Sequence, residues 1–336
     1  MLRLLISREA TVNVIVATSV TLIVIGVILT VCFILLLVAW LSYRTAFGSR
    51  YDKNPYLKYF TAEDYGLNTR PVNCGNGLRG FLYEKQTTKN ALIIFCHGMG
   101  PGQIAYTTEI AYFCKNGYMV FALDSVGCNM SEGKSIKGMY TGVDTAVAAI
   151  DFAKLNFVAD NMPVYLVGHS WGAYSALCAT SLRKVDKVVA ISPPDTPSKT
   201  LQGGAAMFIG KPFAAILRPF WWCVNFLKYG VKGNTGASRM ITESGVPALI
   251  VHGDKDNVVS PANAVYYKAK GGNVKKVLAS GKAHNPYNTI EAEKSLAEIS
   301  VKLKNGDKDF SSFDFTAAVK EDEEIMREIL EFLKSN

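Results

Sequence analysis

The pentapeptide Gly168-His169-Ser170-Trp171-Gly172 lies where a buried apolar run, Val164 to Val167, gives way to a helical segment beginning at Ala173. A serine hydroxyl is a weak nucleophile at neutral pH, and a sharp strand-to-helix turn beside a general base makes it reactive. Residues two before and two after such a serine must lack bulk, a need that Gly168 and Gly172 meet. The base for this chemistry is an imidazole, itself held in one tautomer by a carboxylate. Four histidines are available. His169 is inside the turn, and His97 and His252 each end a predicted strand and precede glycine, which leaves His284 in the loop Gly281-Lys282-Ala283-His284. For the carboxylate, the apolar run Ala248 to Val251 leads into His252-Gly253-Asp254-Lys255-Asp256, so Asp254 and Asp256 both qualify. The tetrahedral intermediate needs N–H donors, and the backbone of Trp171, next after the nucleophile, supplies one.

Positioning these groups requires a rigid frame. Beyond Asp64, apolar strands alternate with helical patterns, the signature of a parallel sheet with crossover helices. Strands are predicted at Leu78 to Tyr83, Ala91 to Cys96, Tyr118 to Leu123, Val164 to Val167, Val188 to Ile191 and Ala248 to Val251. Val143, Ala146, Val147, Ile150 and Ala153 follow helical spacing, as a crossover helix should. Ile325, Ile329 and Leu333 give the end of the chain an amphipathic helix that should lie on the sheet. The interval from Asp195 to Gly245 is far longer than the dozen or so residues a crossover needs, and it reads as an inserted cap.

With these elements in place, the chain resembles the α/β-hydrolase superfamily, and most closely its serine aminopeptidase (S33) and monoacylglycerol lipase-like branch. In that branch the strand end reads H-G-x-x-D-x-x-V, and the match to His252-Gly253-Asp254-Lys255-Asp256-Asn257-Val258-Val259 gives the acid role to Asp256 and leaves Asp254 as a turn residue. The serine, acid, histidine order of that fold agrees with His284 as base. His97-Gly98-Met99-Gly100 resembles the H-G-x-G element, which implies the Met99 N–H as the second oxyanion donor. The stretch from Asp124 to Gly133 resembles a D-x-x-G-x-G-x-S-x-G loop, but Asn129 replaces the second glycine and the spacing is one residue longer, so a structural loop is expected there. The resemblance covers about residues 65 to 335.

Between Glu9 and Arg44 there are 34 residues without a charge, more than the roughly 20 that span a bilayer and too many for a signal peptide's apolar stretch. The expectation is an uncleaved single-pass anchor over residues 1–48, a linker over 49–64, and a hydrolase domain over 65–336 with its cap at about 195–245. Arg3 and Arg8 flank one end of the span, while Arg44, Arg50, Lys53 and Lys58 flank the other, a count that favours a cytoplasmic catalytic domain. The seven cysteines include no CxxC or other metal-ligand spacing, and free thiols suit a reducing compartment. A net charge of +8 is compatible with an anionic lipid surface, and no zinc-finger spacing, Arg-rich helix or aromatic RNA-binding signature points to nucleic acid.

The cap carries Met207, Phe208, Phe213, Leu217, Phe220, Trp221, Trp222, Phe226, Leu227 and Tyr229, enough to roof an apolar acyl pocket or to pack on its own underside. Its basic excess near a tether also suits an anionic membrane surface. The chemistry expected is acyl transfer to water without metal or cofactor, on a carboxylic ester with an apolar acyl chain such as a monoacylglycerol or lysophospholipid. A peptidase or amidase with the same machinery is the first alternative. A non-catalytic anchored binding protein that kept the fold is the second.

Overall fold

The computed structural model describes residues 2–85, 90–159 and 161–335, and for residues 2–10, Arg3 and Arg8 among them, only the backbone. Eight strands form one sheet: β1 (Asn68–Gly75), β2 (Leu78–Glu84), β3 (Leu92–Cys96), β4 (Met119–Leu123), β5 (Val164–His169), β6 (Lys187–Ile191), β7 (Ala248–Gly253) and β8 (Val274–Ala279). Their spatial order is β1-β2-β4-β3-β5-β6-β7-β8. β2 runs antiparallel to both β1 and β4, and every other neighbouring pair is parallel.

The central strands are buried on both faces, which explains why they read as unbroken apolar runs rather than alternating ones. Alternation nevertheless decides which layer each side chain enters. Leu92, Ile94, Leu166, Val188 and Ile250 point into one core, and Ile93, Phe95, Val167, Val189 and Leu249 into the other.

The helices are α1 (Leu2–Phe47), α2 (Thr107–Lys115), α3 (Tyr140–Asn156), α4 (Trp171–Ala179), α5 (Pro197–Ile209), α6 (Lys211–Tyr229), α7 (Ala237–Ser244), α8 (Val265–Lys268), α9 (Ile290–Lys304), α10 (Phe315–Ala318) and α11 (Glu323–Lys334). α3 and α4 cover the first face, together with α6 and the end of α1, while α2 and α11 cover the second. α11 seats Ile325, Met326, Ile329, Leu330 and Leu333 as the amphipathic spacing predicts. Helices α5, α6 and α7 occupy the long interval between β6 and β7.

In α1 the stretch Thr11–Phe47 has a mean hydropathy of 3.3 over its most apolar window and is long and apolar enough to cross a membrane; the rest of the chain covers almost none of that window. Its last turns are different. Ala39, Tyr43 and Phe47, four residues apart and so on one helix face, are buried in the first core. Trp221 Nε1–H donates to Ser42 Oγ at 2.9 Å, and Tyr43 O–H donates to Asn225 Oδ1 at 3.2 Å. The polar segment that follows is pinned as well. Tyr51 N–H donates to Gly127 O, Asn129 N–H donates to Tyr51 O, both at 2.9 Å, and the Arg50 guanidinium donates to the carbonyls of Ser131 and Gly133. The helix therefore leaves the domain as a fixed strut, not on a loose tether.

Candidate active site

β5 delivers Ser170 to the top of the sheet, where the chain reverses into α4. Ser170 sits at φ 53°, ψ −117°, a conformation that L-residues avoid and that costs on the order of 1–3 kcal/mol. The two glycines make the turn possible. A Cβ on Gly172 would lie 2.0 Å from the Cys96 carbonyl oxygen, and one on Gly168 would lie 2.6 Å from the Gly172 carbonyl. Both approaches are prohibitive against backbone.

Three side chains far apart in sequence meet above this turn. His284 Nε2 is 2.9 Å from Ser170 Oγ, and His284 Nδ1 is 2.9 Å from Asp256 Oδ2. A carboxylate only accepts, so Nδ1 carries the proton and Nε2 is left to accept from the hydroxyl. The Asp256 side chain is fully buried, and its other oxygen accepts the N–H groups of Val258 at 2.8 Å and Val259 at 2.9 Å. Burial by itself would raise this carboxyl, but the hydrogen bond and charge of His284, helped by those two N–H groups, outweigh it and hold the group below its ordinary value. Asp254 does something else: its Oδ1 accepts the Gly281 N–H at 2.7 Å, tying the acid loop to the histidine loop.

Of the remaining histidines, His97 and His169 have hydrogen-bond partners of their own. His97 Nε2 accepts the Ser125 N–H at 2.9 Å, and its Nδ1–H donates to Gly98 O at 2.6 Å. His252 is buried, with Nδ1 3.9 Å from Asp256 Oδ2. His169 donates from Nε2 to the His284 carbonyl at 3.0 Å and accepts at Nδ1 from Tyr106 O–H at 2.9 Å, while Tyr106 in turn accepts the Gly98 N–H at 3.0 Å. Burial first, and the nearby His284 second, push His169 down to about 3, so it stays neutral and keeps this hydrogen-bond polarity. One tyrosine and one imidazole thus lock together the loop after β3, the serine turn and the histidine loop.

A further clamp comes from α9. The Glu293 carboxylate accepts the Ala283 N–H at 2.7 Å with one oxygen and the Asn285 N–H at 2.9 Å with the other, so it grips the backbone on both sides of His284. Neither Tyr106 nor Glu293 has a local motif that would single it out; each acts through partners brought near by the fold.

Met99 follows β3 and Trp171 opens α4, so both candidate donors flank the serine turn. As the first helical residue, Trp171 has no intrahelical acceptor for its N–H, and among the described residues neither N–H donates a hydrogen bond. The Trp171 ring is buried, with Nε1–H on Met139 O at 2.7 Å. In the loop after β4, Asp124 accepts from Gln103 N, Asn129 Nδ2 and Met130 N at 2.7 to 3.1 Å, contacts that stabilise a structural loop. Among the described residues no group of three or more His, Cys, Asp or Glu is arranged to hold a metal.

Sheet order, the single reversed strand, crossover helices on both faces and a serine turn at the end of β5 together define an α/β-hydrolase fold. Residues 87–223 match the family model described as serine aminopeptidase, S33, the branch that the motifs resemble. Among solved structures, the chain is similar to the esterase Pf2001 of Pyrococcus furiosus, at 18% identity over 76% of this chain and 98% of that chain, with a TM-score of 0.56. It is also similar to the α/β hydrolase GrgF of Penicillium sp. sh18, at 16% identity over 71% of this chain and 98% of that one, with a TM-score of 0.51. At these identities the likeness is one of fold. Comparison with curated proteins gives no match.

Proposed function

We propose that this chain is a membrane-anchored serine hydrolase that cleaves carboxylic esters with apolar acyl chains. The observation that carries the reading is the position of His284, within 2.9 Å of both Ser170 Oγ and Asp256 Oδ2. His284 takes the Ser170 proton as Oγ attacks the ester carbonyl, and Asp256 stabilises the imidazolium that forms. The backbone N–H groups of Met99 and Trp171 receive the oxyanion; one such donor is worth about 2.7–4 kcal/mol in a serine protease. His284 then protonates the leaving alcohol, and water, activated by the same imidazole, releases the acid.

α1 supplies the anchor, with residues 1–48 as the span, 49–64 as the connection and 65–336 as the catalytic domain, whose cap is the segment at about 195–245. The flanking charges favour a cytoplasmic domain, and the seven unpaired cysteines agree with a reducing compartment.

The family description itself favours one competitor, an aminopeptidase. Such an enzyme needs a free carboxylate for the substrate amine. Between 195 and 245 the carboxylates are Asp195 and Glu243. Asp195 is engaged by Lys268 Nζ at 2.8 Å and by Ser238, and Glu243 pairs with Arg239 at 2.7 Å. Ester hydrolysis is therefore preferred. Purified full-length protein should hydrolyse p-nitrophenyl esters, with activity rising with acyl length, and Ser170→Ala should abolish it. Preferential cleavage of aminoacyl anilides would transfer the assignment to the peptidase, and inertness toward both would favour a binding protein.

A further inference from the structure

The helices between β6 and β7 bury only part of their apolar surface. In α6, Ala214, Leu217, Trp221 and Val224 recur at three- and four-residue spacing and are buried against the domain and α1. The opposite side of the hairpin is apolar too. Phe208 at its tip is 87% exposed, Met207 beside it 71%, Phe213 66%, and Leu227 on the last turn of α6 74%. Exposed apolar surface of this extent, concentrated on one element, marks an interaction face.

Two features identify what covers it. The first is continuity with α1. Phe33, two-thirds exposed, and Leu37 and Trp40, each somewhat under half exposed, meet Val224 and Leu227 across an apolar groove of about 310 Å³, rimmed by Lys228. The uncharged part of α1, at 1.5 Å per residue, is about 50 Å long against a hydrocarbon core of about 30 Å. Its excess length is sufficient to place Phe33 to Trp40 at the interfacial depth, where α6 lies alongside. The second is charge. Residues 197–234 carry Lys199, Lys211, Arg218, Lys228 and Lys232 and no Asp or Glu. Exposed Phe, Trp, Met and Leu interspersed with Lys and Arg form the composition of an element lying in an anionic interface.

We infer that the α5–α6 hairpin is a second membrane element, embedded in the leaflet through which α1 enters and fixing the catalytic domain against an anionic bilayer. The inference rests on the reading of α1 as a membrane span. Because the last turns of α1 are packed into the domain, the two contacts act as one rigid platform.

The test uses full-length protein reconstituted in vesicles of phosphatidylcholine and phosphatidylglycerol, with p-benzoylphenylalanine in place of Phe208, Ile23 or Leu155. Ile23 lies in the middle of α1 and Leu155 is 86% exposed near the end of α3. Gly138, just before α3, lies against the Tyr43 hydroxyl of α1, and Leu155 is about 22 Å further along the α3 axis from Tyr140. After irradiation, lipid adducts are expected at positions 23 and 208 and not at 155. Adducts at 23 without any at 208 would overturn the hairpin while leaving the anchor intact, and crosslinks from 208 to a second copy would make the face a protein interface. Failure to label lipid at 23 would refute the anchor, and the inference with it. Catalysis is not needed for any of these readouts, so loss of the hydrolase assignment would register separately.

Discussion

At the scale of single residues, His284 is held from several directions at once: Asp256 on one ring nitrogen, Ser170 on the other, His169 on its carbonyl, and Glu293 on the backbone either side. Glu293→Gln keeps the size but replaces one acceptor oxygen with an NH2 that faces an N–H donor, so the loop must shift. Displacing a reacting group by an ångström can cost about 100-fold. The variant should lose roughly 10- to 100-fold in kcat with KM nearly unchanged and its melting temperature little altered, as read by ester kinetics and thermal unfolding; wild-type kcat would contradict this positioning role. Ser170 was legible in the sequence because its requirements are local, two glycines and a strand before it. His284 emerged from the scarcity of histidine, whereas the choice of Asp256 over Asp254 needed a family resemblance, since composition treats the two alike. Tyr106, His169 and Glu293 were not legible in these roles, because their contacts exist only after distant loops have met.

Among the secondary-structure elements, the sequence was most readable where burial is two-sided. β3 to β7 are continuous apolar runs and match their predicted positions within a residue or two. β1 and β8 lie at the sheet edges: β1 contains Pro71, and β8 exposes Lys275, Lys276 and Leu278, so neither presents an apolar run. A different masking hides the packing of α1 and α6. α1 is apolar on the face that is buried and on the face that is not, so no amphipathic period marks the stripe of Ala39, Tyr43 and Phe47; in α6 the stripe of Leu217, Trp221 and Val224 has helical spacing, but exposed Phe213, Trp222 and Leu227 beside it blur its edges. Only tertiary contact separates the two sides.

For the molecule as a whole, stability carries a specific pH signature from α2. Glu109 is buried, its Oε2 has no hydrogen-bond partner among the described residues, and burial pushes its carboxyl up to about 7 from an ordinary 4.5. The folded state thus holds a proton that the unfolded chain releases, so the stability is fully present below pH 4.5 and declines as pH rises to 7. At about 1.4 kcal/mol per pH unit over that window, the loss is about 3–4 kcal/mol. Glu109→Gln should therefore melt several degrees above wild type at pH 8.5 and near it at pH 4; a variant less stable at both would contradict this account of the site.

The central claim concerns a reactive hydroxyl at the end of β5. Treating the full-length protein with a fluorophosphonate and mapping the adduct by mass spectrometry tests it most directly. The geometry predicts one adduct, on Ser170, lost in Ser170→Ala and strongly slowed in His284→Ala. No adduct at saturating probe, or unchanged labelling of Ser170→Ala, would contradict it.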